Sequence, residues 1–224
     1  MADADAQALR LVVLGKPGSG KGTQSQRIAA QDGIPQVSTG DLIRRSIADV
    51  TPLGLKCKSF TDKGRLVPDE VVLGMVEERL AMEDCALGFV LDGFPRTLPQ
   101  AKVLEDWMDS RGIPLSAAIN IAVPDSVLVE RAVGRRFCLS CGASFHVSFA
   151  PPRIEGVCDT CESILQQRED DRAEVVVARV KEYNSKTAPL TEFYRERSLL
   201  FEVDGVGSPE SVENRIETVL HPVK

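Results

Sequence analysis

Short apolar runs and longer stretches of helical spacing alternate along this chain. Leu9-Arg10-Leu11-Val12-Val13-Leu14, Gly88-Phe89-Val90-Leu91, Ala117 to Val123 and Leu199 to Val203 are nearly continuous apolar segments. Runs of that length read as strands covered on both faces. Ile34-Pro35-Gln36-Val37 predicts a shorter strand or extended segment. Between these runs the apolar residues recur three and four apart. Val71, Val72, Met75, Val76 and Leu80 share one helix face, Val103, Leu104 and Trp107 another, and Val176, Val177, Val180 and Tyr183 stripe a long helix over 169–186. Further helices are expected after residue 20 with a stop at Gly33, over 42–47 behind N-cap candidates at 38–41, and from near Pro52 and Pro68. Others follow over 99–110, 127–133, from Pro189, and over 209–220. The alternation predicts an α/β fold, a parallel sheet flanked by helices on both faces. No internal repeat or low-complexity linker interrupts it.

Residues 137–167 break the pattern. They hold cysteines, turn residues, a β-like piece at 143–149 and Pro151-Pro152, and read as an inserted module. Cys138 and Cys141, then Cys158 and Cys161, form C-x2-C pairs with sixteen residues between them. That spacing suits a structural zinc site, in which four thiolates leave no open position for chemistry. Two disulfides and a redox motif are the alternatives. Both fit less well, because disulfides are rare in the cytosol and a redox pair has a strand–helix context missing here. Cys57 and Cys85 have no such partners and read as ordinary packing residues.

Composition narrows the function. A chain of 224 residues with 43% hydrophobic and 27% charged residues suits one sizeable domain carrying small insertions. A net charge of −6 argues against a nucleic-acid or membrane-surface protein, both of which need a basic footprint. The N-terminus, Met1 to Gln7, is acidic and lacks the features of a signal peptide. No apolar run approaches the ~20 residues that cross a bilayer. A soluble, cytoplasmic protein is expected, and nothing demands an oligomer, so a monomer is expected too.

The chemistry centres on Gly15 to Thr23, GKPGSGKGT. Gly15, four residues and then Gly20-Lys21 fit a phosphate-binding loop placed between strand and helix. Glycines let successive backbone amides point at an anion, and the helix adds its unpaired N–H groups and dipole. Lys21 would reach the outer phosphates and the Thr23 hydroxyl is a candidate Mg²⁺ ligand, while Gly22 is an addition to the common pattern. Asp92 ends an apolar strand, where phosphate-loop enzymes place a carboxylate near the metal. Arg131, Arg135 and Arg136 precede the cysteine module, and Arg168, Arg172 and Arg179 follow it. A flap closing about that hinge could set Arg135, Arg168 and Arg179 on phosphates, whereas Arg136 and Arg172 read as solvated.

Taken together, GKPGSGKGT (15–23), STGDLIR (38–44), GRLVPDE (64–70), LDGFPRT (91–97), GRR (134–136) and REDD (168–171) with Arg179 closely resemble the adenylate kinase family. The four cysteines resemble the zinc-bearing lid of its long-form bacterial members. The resemblance implies a phosphate-loop core over 1–37, 68–133 and 172–224, an AMP-binding insertion over 38–67 and a lid over 134–171. It implies reversible, Mg²⁺-dependent phosphoryl transfer, ATP + AMP = 2 ADP, with closure of the lid over the donor. Gly18, Ser19, Gly20, Lys21, Gly22 and Thr23 would hold ATP phosphates, Arg131 its adenine, and Ser144 and Phe145 would replace a frequent valine–tyrosine pair against ATP. Gly207 is the implied backbone contact near the C-terminus. Thr39, Arg44, Arg65, Leu66, Val67, Gly93, Phe94, Pro95, Arg96 and Gln100 would hold AMP, with Arg168 and Arg179. Lys21, Arg96, Arg135, Arg168 and Arg179 would surround the transferred phosphoryl group, and Asp41 and Asp92 would hold Mg²⁺ through water. A GTP:AMP phosphotransferase of the same fold is the rival reading. A nucleotide-gated switch is weaker, because no Asn-Lys-x-Asp guanine-reading motif is present.

Overall fold

The computed structural model describes residues 8–221; the acidic N-terminal segment lies outside them. The chain enters at β1 (Leu9–Leu14), turns through the glycine loop into α1 (Lys21–Asp32), and continues to β2 (Gln36–Ser38) and α2 (Thr39–Ala48). Three helices and a strand follow: α3 (Pro52–Thr61), α4 (Asp69–Leu80), β3 (Gly88–Asp92) and α5 (Leu98–Asp109). β4 (Ala117–Ala122) and α6 (Asp125–Val133) then lead to β5 (Arg135–Cys138), β6 (Ser144–His146) and β7 (Leu165–Gln166). α7 (Ala173–Glu182), α8 (Leu190–Glu196), β8 (Leu200–Asp204) and α9 (Pro209–Leu220) complete the chain.

Five strands form one parallel sheet in the order β2-β3-β1-β4-β8. Alternate residues of the same strand serve two different cores. Val12, Leu14, Phe89 and Leu91 face one side, against Val72 and Val76 of α4 and Leu104 and Met108 of α5. Leu11, Val13, Val90 and Ile119 face the other, against Ile28 of α1 and Val212 and Ile216 of α9. Full burial of each such side chain is worth about 1.5–3 kcal/mol, and β3 is buried along its whole length. The expected α/β architecture is therefore present, and it carries the strand ends to one edge where loops 15–20 and 93–97 meet.

The second sheet, β6-β5-β7, is small and antiparallel. Its buried core consists of Cys138, Cys158 and Leu165, with Ala143 and Phe145 packed alongside. That is too little apolar area to hold a fold unaided. His146 ties this sheet to α6: its ring packs on Gly134, Nε2 lies 3.3 Å from the Glu130 carbonyl, and Nδ1 accepts the amides of Ser148 and Phe149.

The long helix expected over 169–186 is broken. Glu169–Asp171 form a 3-10 turn, Arg172 is extended at φ −65° and ψ 142°, and a π turn over Tyr183–Thr187 follows α7. The buried carboxylate of Asp171 pairs with Arg135 of β5, which anchors the chain ahead of the helix. Among the described residues, no helix is long and apolar enough to cross a membrane.

Candidate active site

A cavity of about 880 Å³ lies at the strand ends, bordered by Lys21, by α2, by residues 64–67 and 93–96, by Gln166 to Asp170 and by α7. Each wall is built locally. Gly18 adopts φ 86° and lies so close to the Leu128 carbonyl of α6 that no side chain would fit. Gly20, at φ 91°, caps α1 without a side-chain bond, so the first amides of the helix remain open to an anion. A Cβ at Gly22 would stand 3.3 Å from Asp92 Oδ2, a tight contact that glycine avoids.

On the opposite wall the Thr39 hydroxyl and Arg96 Nε both donate to the Gly93 carbonyl, at 2.7 and 2.6 Å. The Thr187 hydroxyl donates to the Arg96 carbonyl at 2.8 Å, so the π turn braces the loop that presents this guanidinium. Arg44 pairs with Asp41 of its own helix at 2.6 Å. The segments flanking the small sheet supply the rest. Arg135 donates from Nε to Asp171 at 2.8 Å and pairs through its other nitrogen with the same carboxylate. Arg179 pairs with Asp170 at 2.8 Å, and Arg44 reaches that carboxylate at 4.0 Å. Arg168 stacks over the Phe137 ring at 4.1 Å, and its Nε is buried without a hydrogen-bond partner.

The electrostatics follow. Burial pushes the Lys21 ammonium down to about 7; Asp92 opposes the shift, and Arg96, Arg179 and Arg135 add to it. Burial and then the neighbouring Arg179 lower Arg96 to about 10, and burial with Arg44 and Arg135 lowers Arg168 to about 10. Burial works against Arg135 too, but its bonds to Asp171 prevail and raise it. The Asp170 carboxyl, which burial alone would raise, is held low by Arg179 and Arg44. Such crowding of buried positive charge marks a site for an anion.

The expected site residues are not all brought together. Thr39, Asp41, Arg44, Arg65, Leu66, Val67, Gly93, Pro95, Arg96, Gln100, Arg168 and Arg179 border the cavity with Lys21. Phe94 is buried behind it, and Arg135 and Asp92 stand close enough to act on Lys21. Gly18, Ser19, Gly20, Gly22 and Thr23 lie beyond its edge on the glycine loop and the first turn of α1. Arg131 donates to the Gly205 carbonyl at 3.0 Å, two residues from Gly207, so these two form a separate surface beside the loop. Ser144 lies on β6 and Phe145 packs on the cysteine cluster; neither borders the cavity. Arg172 is exposed and pairs with Glu169, while Arg136 donates to the Val133 and Arg135 carbonyls. Sequence reasoning missed Asp69, Glu182 and Thr187, whose hydrogen bonds cross the molecule, and it assigned no role to Asp170 and Asp171 although both lie in a quoted motif.

The four cysteines converge. Their sulfurs lie within 4.8 Å of one another, Cys138 and Cys161 at 3.4 Å and Cys141 and Cys158 at 3.5 Å. A tetrahedron with Zn–S of about 2.3 Å places sulfurs about 3.8 Å apart, so the set fits a tetrahedral metal. The two pairs sit in matching turns. Cys138 N–H donates to Ala143 and Gly142 N–H back to Cys138; Cys158 N–H donates to Ser163 and Glu162 N–H back to Cys158. All four are free thiols rather than disulfides, and together they could hold one metal ion.

Fold and site together define a nucleotide phosphotransferase of the phosphate-loop class. The adenylate kinase family model matches residues 13–199. The chain is 50% identical over 212 residues to the adenylate kinase of Carboxydothermus hydrogenoformans, covering 95% of this chain and 99% of that one. It is 48% identical over 212 residues to that of Geotalea daltonii, with coverage of 95% and 99%. To that of Archaeoglobus fulgidus it is 46% identical over 216 residues, covering 96% of this chain and the whole of the other. The chain belongs to the adenylate kinase family, whose members are nucleoside monophosphate kinases.

Proposed function

We propose that this protein catalyses ATP + AMP = 2 ADP with Mg²⁺, using ATP rather than GTP as donor. The observation that carries the proposal is the convergence of Lys21, Arg96 and Arg168, from three separate segments, on one cavity. In this reading residues 18–23 cradle the donor phosphates with backbone amides, and Arg131 and the Gly207 backbone lie along its base. Ser144 and Phe145 come onto the donor only when the lid closes. The AMP phosphate rests on Arg44 and Arg96 and its base lies between Leu66-Val67 and Gln100.

An AMP phosphate oxygen attacks the γ-phosphorus as the bond to the β–γ bridging oxygen breaks. The attacking oxygen is already anionic, so no general base is required. The charge moving through a loose transition state is met by Lys21, Arg96, Arg135, Arg168 and Arg179. Asp92, which accepts a hydrogen bond from Gln36 at 3.1 Å and keeps free lone pairs at the end of β3, suits a hydrated hard cation, with Asp41 near the acceptor. When bound, Mg²⁺ neutralises the donor phosphates. Residues 134–171 act as a lid that excludes water, held in shape by zinc on Cys138, Cys141, Cys158 and Cys161; residues 38–67 carry AMP; the remainder is the core. The protein works as a cytoplasmic monomer with nucleotides as its only partners, without nucleic acid or membrane. A coupled assay of ADP formation tests the reaction, comparing ATP and GTP as donors with AMP. Strong ATP-dependent turnover is expected; none, or a preference for GTP, would reject it.

A further inference from the structure

The carboxamide of Gln100 is held from both ends. Its Oε1 accepts the Arg96 amide at 2.7 Å, and its Nε2 donates to Asp69 Oδ1 at 2.7 Å. Gln100 borders the cavity although its side chain is only 1% exposed. The other oxygen of Asp69 accepts the Thr97 hydroxyl at 2.8 Å, and Thr97 in turn caps α5 through the Gln100 amide. An unrestrained glutamine amide flips readily, exchanging its donor and acceptor ends. Here the flip is barred. A backbone N–H can only donate and a carboxylate can only accept, so one orientation satisfies both partners and the other satisfies neither.

Orientation is what a purine site needs to fix. The Watson–Crick edge of adenine presents an acceptor at N1 beside an amino donor, and a 6-oxopurine presents the reverse, a donor N1–H beside an acceptor oxygen. An amide locked in one sense can pair with only one of these two edges and opposes the other. We infer that Asp69 is a specificity-determining positioning residue: through its grip on Gln100 it restricts the monophosphate acceptor to adenine. The inference rests on the reading of this cavity as the AMP site and goes beyond it by naming what sets the base. Asp69 touches no substrate; it acts through Gln100. Discrimination achieved through a buried hydrogen-bonding group is large, because the wrong base leaves that group unpaired.

The test is Asp69→Leu, which removes the acceptor at similar volume. The AMP-over-IMP ratio of kcat/KM with ATP is expected to fall by about tenfold or more, with KM for AMP rising and kcat changing less. Asp69→Asn keeps most of the ratio, because its amide oxygen can still accept from Gln100; a general disturbance of packing in the Leu variant would lower turnover of AMP and IMP alike and leave their ratio unchanged. If Asp69→Leu does not fold, Asp69→Ala reads the same ratio. An unchanged ratio in a folded, active Leu or Ala variant overturns the inference. Lack of ADP formation by the unaltered protein would instead sink the proposed reaction. Calorimetric binding of AMP and IMP to the same variants would then decide the question of Asp69.

Discussion

Two sets of cations meet at the centre of this molecule, and they are kept in different ways. Arg44, Arg135 and Arg179 each hold a carboxylate of the same chain, Asp41, Asp171 and Asp170 respectively. Among the described residues, Lys21, Arg96 and Arg168 make no ion pair, and all three have lowered proton affinity. In the paired set a carboxylate faces each charge and the guanidinium groups fasten residues 170–171 to β5, α7 and α2, although burial still lowers Arg179 against its pair with Asp170. The unpaired set stores unfavourable desolvation that an incoming phosphate relieves. Lys21 at the start of α1 and Arg96 in the loop after β3 stand on the core, and Arg168 faces them from the segment between β7 and α7, so the anion rather than the protein completes the site.

The sharpest way to test the unpaired set is to remove one of its cations and, as a control, an exposed arginine outside the cavity. Arg96→Ala should lower kcat/KM for ADP formation by about 10²–10³-fold, the scale of losing a transition-state donor. Arg172→Ala, which loses only the exposed pair with Glu169, should stay within about twofold. Retention of more than a tenth of the activity by Arg96→Ala would show that the unpaired set is not where the charge is met.

Asp171→Asn tests the paired set. Asp171 is fully buried and serves Arg135 and Arg179. Its neutralisation should cost about 2 kcal/mol and lower the melting temperature by about 4–8 °C. Thermal denaturation checks this, and an unchanged midpoint would mean that the segment ahead of α7 is fastened elsewhere.

The frame that carries Arg135 and Arg168 depends in turn on the cysteines, because β5–β7 have so small an apolar core. About one zinc per chain is expected. Its removal by a chelator should raise amide exchange over 135–167 by at least about tenfold while β1, β3 and β4 stay protected. Uniform exchange before and after chelation would count against a structural metal.

The smallest effect lies in the same module. Glu162 sits at φ 60° where the matching turn has Gly142 at φ 78°. Glu162→Gly should stabilise the cysteine module by about 0.5–1 kcal/mol, read from the same exchange data. A loss of protection would show that the side chain, not the backbone, matters there.

How much of this was visible in the residues depends on the range over which each feature is encoded. The strands, the glycine loop and the paired cysteines are spelled out over a few residues each, by apolar runs, positive-φ turns and ligand spacing. Asp92 was legible because a buried strand must end where the ligand edge begins. The break at Arg172 was not, since residues 169–186 keep helical spacing and only the pairing of Asp171 with a strand more than thirty residues earlier interrupts them. Asp69 and Thr187 escaped for the same reason. Each looks like an ordinary first-turn or last-turn residue until the fold brings Gln100 or the Arg96 carbonyl to it. The different surroundings of Arg135 and Arg168, alike in sequence as arginines flanking one insertion, also emerge only from the tertiary structure.

The claim that the unpaired cations await a phosphate is tested most directly on Lys21. With its ammonium lowered to about 7 in the free protein, most molecules carry a neutral lysine at pH 8. A bound triphosphate restores the charge, because the anion raises the proton affinity of the group beside it. The same shift makes the free protein gain stability as pH rises from about 7 toward the ordinary lysine value of about 10.5, since over that window the unfolded chain binds the proton that the folded one has released. Calorimetric titration of ATP into the protein at pH 8, in two buffers of different ionisation enthalpy, reads the proton directly. The account predicts uptake approaching one proton per ATP bound; tight binding with no proton uptake would contradict it.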